Sequence, residues 1–267
     1  MRLLFGLILL SLTACYEEVT GCLNPDAANY DLQADEACGD CCTFPSLAVR
    51  VTPQWDGVPV VAGTRYPYGT QGDSFTLLRF RFYLGELQLV AGQDLLAAPE
   101  RAVELFTLTS GVATPVALNG NYLLATTAPN TTNIGTVAIG TRGLTGLTGT
   151  YGLPDRYRVV EPFLAPTNDA LRTQPGRLNF NDGRGFVQAR LEYVLTPGDT
   201  LSVSSFGSTP FTISFGGTFV PDRGSNAQIN LVAALDELLQ PIDLAADSVT
   251  VAAGLGNSVN FLQLGGG

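Results

Sequence analysis

The run Phe75-Thr76-Leu77-Leu78-Arg79-Phe80-Arg81-Phe82-Tyr83-Leu84-Gly85 constrains the fold more than any other part of the chain. Its two-residue alternation predicts a long strand, because successive side chains of a strand point to opposite faces. Phe75, Leu77, Arg79, Arg81 and Tyr83 then share one face, and Thr76, Leu78, Phe80, Phe82 and Leu84 the other. Leu87, Leu89 and Val90 continue the pattern beyond Gly85, and Leu47, Val49 and Val51 repeat it against Ala48, Arg50 and Thr52. Further strands are expected at 103–108, 122–126, 136–139, 185–195, 201–206 and 211–220, divided by Gly, Pro and Asn-Gly turns. One helix is expected over 231–239, ended by Pro241. Residues 151–175 form a Pro-containing excursion, expected as an ordered loop on one rim. The reading is all-β: an immunoglobulin-like antiparallel β-sandwich over 47–267 with one short helix near the C-terminus.

The N-terminus carries an address. Arg2 supplies a positive start, residues 3–12 an apolar core, and Leu12-Thr13-Ala14-Cys15 resembles the lipobox of bacterial lipoproteins. The apolar run is about half of the ~20 residues a membrane-spanning helix needs. Residues 1–14 are therefore read as a lipoprotein signal peptide. Cys15 is the lipid anchor, bearing diacylglycerol and palmitate, and 15–20 are a lipidated linker. Two or three acyl chains hold a protein firmly, at ~0.8 kcal/mol per buried methylene. Tyr16 rather than Asp follows the Cys, so the inner-membrane retention signal of some Gram-negative lineages is missing. Glu17 and Glu18 resemble the acidic tag that sends lipoproteins of other lineages to the cell surface. The expected location is the outer membrane, on its periplasmic or cell-surface face.

The other four cysteines, Cys22, Cys38, Cys41 and Cys42, lie close behind, and none follows them. In an exported chain they are expected as disulfides. A vicinal Cys41–Cys42 bridge is strained, which leaves Cys22 with Cys41 or Cys42 and Cys38 with the other. Residues 21–46 are too few to bury a core, so bridges replace packing; a closed loop of ~20 residues is stabilised by roughly 3 kcal/mol. Gly21-Cys22, Pro25-Asp26-Ala27-Ala28-Asn29-Tyr30 and Cys42-Thr43-Phe44 resemble a short Cys-bounded module repeated in large secreted proteins of Gram-negative bacteria. Asp26, Asp31, Asp35 and Asp40, with Asn24 and Asn29, are hard oxygen donors suited to calcium, although without the spacing of an EF-hand loop. The principal reading of this segment is a stapled, solvated stalk.

Composition excludes much chemistry. The chain has 14 basic and 24 acidic residues and a formal net charge of −10, so nucleic acid is not an expected partner. It contains no His and no Lys, and its single Met is Met1. Every basic residue is Arg, which stays protonated near neutral pH. Ser-His and Cys-His pairs, Schiff-base and phosphate-loop lysines and imidazole-bound zinc are therefore all unavailable. Only carboxylates and tyrosines remain for catalysis, as in a glycosidase, and no motif singles out a pair. The chain reads as a non-enzyme, with a carboxylate-based glycan hydrolase as an alternative.

Trp55-Asp56-Gly57-Val58-Pro59, the 75–87 strand, Leu178-Asn179-Phe180-Asn181-Asp182-Gly183-Arg184-Gly185-Phe186 with Leu191-Glu192, Phe211-Thr212-Ile213-Ser214-Phe215-Gly216-Gly217, and Ile229-Asn230-Leu231-Val232 with Leu235-Asp236 together resemble the MbnP-like copper-binding domain of bacterial lipoproteins. The likeness spans residues 47–263 as a thin thread of positions. It implies copper chemistry associated with His and Trp-derived groups, and there the chain departs. Phe180 stands where tryptophan is expected, Ser214 or Phe215 where His is expected, and Trp55 is the only Trp. Copper(I) favours thiolate, thioether or imidazole and copper(II) imidazole, and residues 47–267 contain none of these. The expectation is a scaffold without copper ligands, in a surface lipoprotein whose sandwich holds a protein or glycan partner through loops at its ends. Tyr66, Tyr68, Tyr151 and Tyr157 are candidates for that face. The other reading is a metal protein, using oxygen ligands for calcium in the Cys-rich module or at Asn181-Asp182-Gly183, or keeping a residual copper-handling role.

Overall fold

The computed structural model describes residues 17–69, 72–97, 103–118, 120–175, 178–195 and 198–265. The expected signal peptide and the expected anchor at Cys15 lie outside these residues. The principal strands are β1 (Ser46–Trp55), β2 (Arg65–Tyr68), β3 (Asp73–Ala91), β4 (Tyr122–Thr126), β5 (Asn130–Thr136), β6 (Leu144–Tyr151), β7 (Gly185–Leu195), β8 (Thr200–Phe206), β9 (Thr209–Phe219), β10 (Ala227–Ala234) and β11 (Leu262–Leu264). The two helices are α1 (Leu235–Leu239) and α2 (Ser248–Asn257).

The long strand β3 is the spine of the larger sheet. Along one edge it pairs first with β7, from Phe75 to Phe82, and then with β6, from Leu84 to Val90. Its other edge takes β2, β4 and the short strand Asp94–Ala97. Beyond β7 lies β8, and beyond β6 lies β9. The second sheet runs β5, β1, β10, β11. Its β1–β10 ladder is parallel, from Leu47 opposite Ala227 to Gln54 opposite Ala234, so the sandwich is not purely antiparallel. Between the sheets, Val49, Val51, Ile229 and Leu231 pack on Phe80, Phe82, Leu84 and Leu87. The Phe82 ring lies 5.5 Å from Phe80, 5.8 Å from Tyr151 and 5.6 Å from Phe261.

Strict alternation along β3 does not hold. Phe75, Leu77, Phe80, Phe82, Leu84, Leu87 and Leu89 all enter this one core. Two bulges explain it. Tyr193 sits opposite Leu77 and Glu192 opposite Arg79, so Leu78 is an extra residue that flips the face. A second slip lies between Gly85 and Gln88, where Glu86 adopts a positive φ of 55°. Asn121 closes the gap there: its side chain accepts from Leu87 N–H and donates to Leu87 C=O, both at 2.9 Å.

The opposite face of the sheet is also buried. Tyr83, Tyr122, Leu124 and Phe186 pack beneath Leu153, Tyr157, Val160 and Leu171. The 151–175 excursion, with its 3-10 turn Asp155–Val159, is thus a cover over this face and not a rim loop. Other boundaries also moved. The strand expected at 136–139 is β5, ending at Thr136, and β6 was not expected at all, because its glycines dilute the apolar signal. The helix expected over 231–239 holds only for α1: Ile229, Leu231 and Ala233 are buried on alternate positions, and that period keeps β10 extended to Ala234. Helix α2 was masked by its Val, Thr and Gly content, but Asp247 caps it, accepting from Val249 and Thr250 N–H.

Disulfides join Cys22 to Cys42 and Cys38 to Cys41, one of the two pairings left open by the sequence. Short parallel strands Thr20–Gly21 and Glu36–Ala37 complete the segment. It is docked and not free-standing. Asp26 pairs with Arg223 at 3.4 Å, a Cβ on Gly140 would sit 3.0 Å from the same carboxylate, and Ala27 is buried. The proposed calcium set is not gathered. Asp31 accepts from Gln33 N–H and Asp35 from Val19 N–H, and among the described residues no three acidic or cysteine side chains converge. Asp31 closes a local turn, Asp35 ties back to Val19 and Asp26 reaches Arg223.

One consequence is a flat pH profile. With no His or Lys and four bridged cysteines, little titrates between pH ~6 and ~10. Burial raises the Tyr83 and Tyr151 hydroxyls above the ordinary tyrosine range. Their neutral form therefore stabilises the fold fully below the unfolded value of ~10. That stability is lost as the pH climbs beyond it, by ~1.4 kcal/mol per pH unit per group. Urea midpoints should stay level from pH 7 to about 9.5 and then fall; a decline already by pH 8 would contradict this.

Candidate functional site

A groove of about 850 Å³ follows β8, walled by the turn at Asn181–Arg184 on one side and by α2 on the other. The turn is locally determined. Asn181 Oδ1 accepts from Gly183 N–H (3.0 Å) and Arg184 N–H (3.1 Å), closing the reversal. Gly185 follows with φ 83°, and a Cβ there would lie 2.7 Å from Arg158 Cγ. The turn is tied to the fold through Asn179, which is wholly buried. Its amide donates to Tyr83 Oη and Arg172 C=O, both at 3.0 Å, and its oxygen accepts from Gln174 N–H at 3.1 Å.

The other wall is fixed by packing. Val251 and Leu255 of α2 enter the core, which turns Ala253 and Asn257 outward beside the groove. A Cβ at Gly256 would sit 2.8 Å from Gln188 Oε1, so this helix lies tightly against β7 and β8. Gln188 Nε2 reaches Thr209 Oγ1 and Gly256 C=O, both at 3.0 Å, and ties the floor to the helix.

Two arginines, Arg184 and Arg190, line the groove, and further charges stand beside Arg190 in the sheet. Register places Arg81, Arg190 and Ser204 in one row across β3, β7 and β8, and Arg79, Glu192 and Ser202 in the next. Glu192 serves two arginines, Arg79 at 3.3 Å and Arg190 at 3.1 Å. Arg81 is buried and donates to Gln174 Oε1. Burial, and then repulsion from Arg79, lowers its pKa. The Arg184 guanidinium stacks 4.1 Å above the Phe206 ring. Among the described residues no carboxylate stands within ion-pairing distance of Arg81 or Arg184. A locally positive groove therefore sits on a strongly acidic chain.

Expected site residues divide sharply. Asn181 and Asp182 line the groove, as does Phe180, whose ring lies 4.9 Å from Phe186. Ser214 and Phe215 do not line it; Ser214 lies opposite Gly146 on β9. Tyr66, Tyr68, Tyr151 and Tyr157 form no binding face, since all four are buried. Tyr151 donates to Leu255 C=O, Tyr157 to Glu86, and Trp55 packs 4.7 Å from Tyr66. Sequence reading did not single out Arg184 and Arg190. Arg190 carried only the signal of an arginine at an alternate position of a strand, and Arg184 that of an arginine in a Gly-containing turn.

The family model for MbnP matches residues 45–254, which include every strand from β3 to β10 and most of the groove wall. The chain belongs to the MbnP family. Among solved structures, MbnP from Methylosinus trichosporium is similar at 16% identity, with 72% of this chain and 76% of that one covered and a TM-score of 0.41. No curated protein matches the chain. In this MbnP-family chain the groove rim is built by the 178–186 segment. The copper implied by the family resemblance does not fit the residues present: the groove offers hydroxyls, amides, guanidiniums and the single carboxylate of Asp182, which are hard or cationic groups.

Proposed function

We propose that this MbnP-family chain is a lipid-anchored, non-catalytic binding protein of the outer membrane that holds its ligand in the groove along β8. The observation that carries the reading is the groove itself. It encloses about 850 Å³, its rim is braced by a fully buried Asn179, and its lining includes one carboxylate where a glycosidase needs two. The placement of the docked Cys-rich module supports a tethered role. Gly140 and Arg223, which meet Asp26, lie beyond the Leu144–Phe219 end of the β6–β9 pair, and the groove lies at its Tyr151–Thr209 end. The eight residues of β6 separate these ends by about 23 Å, so the groove and the docked module lie at opposite ends of this strand pair. No helix among the described residues is long and apolar enough to cross a membrane, and Cys15 supplies the attachment in this reading.

The anchor is directly testable. Wild-type protein should partition almost wholly with membranes, and its mature N-terminus should be an acylated Cys15 by mass spectrometry. Cys15→Ser should move nearly all of it to the soluble or unprocessed pool. An intact Met1 on the wild-type protein, or unchanged membrane partition of the acylation-blocked variant, overturns the tethered reading.

A further inference from the structure

We infer that the groove takes an acidic polysaccharide, a polyhydroxylated chain bearing carboxylate groups, with Arg184 and Arg190 as the anion-recognising residues; this rests on the groove being the binding site. Three features of the lining converge on that chemistry. First, guanidinium is the side chain whose fork matches a carboxylate, and it keeps its charge at any physiological pH. Arg190 uses Nε for Glu192 and Nη1 for Ser204, so the ion pair orients it and leaves its Nη2 edge uncommitted among the described residues. Arg184 is held by stacking on Phe206 and, among the described residues, not by an acid. Arg81, beside Arg190 in the ladder, adds buried positive charge beneath them.

Second, the space far exceeds one small anion. A groove of about 850 Å³ is on the scale of an oligomer, and apart from the Asp182 carboxylate on the turn its remaining polar groups are uncharged. Ser202 and Ser204 repeat along β8 about 7 Å apart, and Asn257 and Ser208 flank them. Hydroxyls and amides at such intervals exchange hydrogen bonds with sugar hydroxyls along a chain. Third, the alternative polyanions fit less well. Nucleic acid needs broad basic surface, and the chain is net −10. A peptide adding as a strand to β8 is obstructed, because α2 packs against that strand.

The test is calorimetric titration of the full chain in detergent with a galacturonate hexasaccharide, a neutral xylose hexasaccharide and polyglutamate. The galacturonate oligomer should bind at least about tenfold tighter than either other probe, and its affinity should fall as salt is raised. Arg190→Gln and Arg184→Gln should each weaken it by about tenfold or more, with unchanged thermal unfolding. Arg190 is the safer fold control, since Glu192 keeps Arg79. Ala253→Trp, at an exposed position of the wall, should abolish binding by filling the groove. Equal binding of polyglutamate, affinity indifferent to both arginine variants, or no binding of galacturonate overturns the inference. If Ala253→Trp blocks the neutral sugar while the arginine variants change nothing, only the acidic-ligand inference fails. If saccharides bind and Ala253→Trp has no effect, the groove reading fails with it.

Discussion

Phe82→Ala should lower the unfolding free energy by ~3–5 kcal/mol, a large share of the ~5–15 kcal/mol typical of a domain. The ring is fully buried at the meeting point of both sheets, the β6 edge and the C-terminal segment, touching Phe80, Tyr151 and Phe261. Truncation removes its transfer energy and leaves a cavity that rigid aromatic neighbours cannot close. Chemical denaturation monitored by far-ultraviolet circular dichroism reads the effect as a shifted midpoint at unchanged slope. Leu32→Ala, at a side chain 82% exposed in the Cys-rich module, is the matched control and should stay within ~0.5 kcal/mol. A Phe82→Ala protein as stable as wild type would show that the two sheets are not packed as described.

Asn179→Ala should cost about 1–3 kcal/mol and loosen the groove rim. The substitution leaves the part-buried Gln174 N–H and Arg172 C=O without their Asn179 partner and removes a wholly buried amide. Tyr83 loses one partner but keeps Ala170 C=O at 2.6 Å, which localises the damage to the rim. Amide hydrogen exchange should accelerate across 172–186 while β1 and β10 stay protected. Asn179→Asp should be no milder, because it retains an acceptor for Gln174 but places a carboxylate oxygen against Arg172 C=O. Unchanged exchange across 172–186 in Asn179→Ala would mean that the turn holds itself, through Asn181 alone.

The strand content was legible because alternation is a local property. Gly185–Leu195 and Tyr122–Thr126 were delimited to the residue, and 201–206 nearly so. Misreadings came where the structure broke its own period. At Leu78 and Glu86 a single inserted residue reverses every later side chain, and nothing in the local residue types marks the insertion. The four tyrosines of turn-rich segments looked available for a ligand. Each instead found buried packing, with Tyr151 and Tyr157 also satisfying their hydroxyls within the fold. The turn at Asn181 was noticed for its oxygen atoms, and one of them, Asn181 Oδ1, closes the backbone reversal.

By itself the sequence determined chemistry by elimination and the class of fold by period. A chain without imidazole, amine or thioether beyond Met1 cannot acquire them by folding, and alternating apolar residues can bury only as strands. Tertiary structure alone decided where charge concentrates. Arg81 lies about a hundred residues from Arg190, and only the β3–β7 register sets the two side by side, while the curl of the Asn181 turn brings Arg184 to the groove that Arg190 lines. Cross-strand partners depend on register and bulges, which are set by long-range packing and not by the residues on either side.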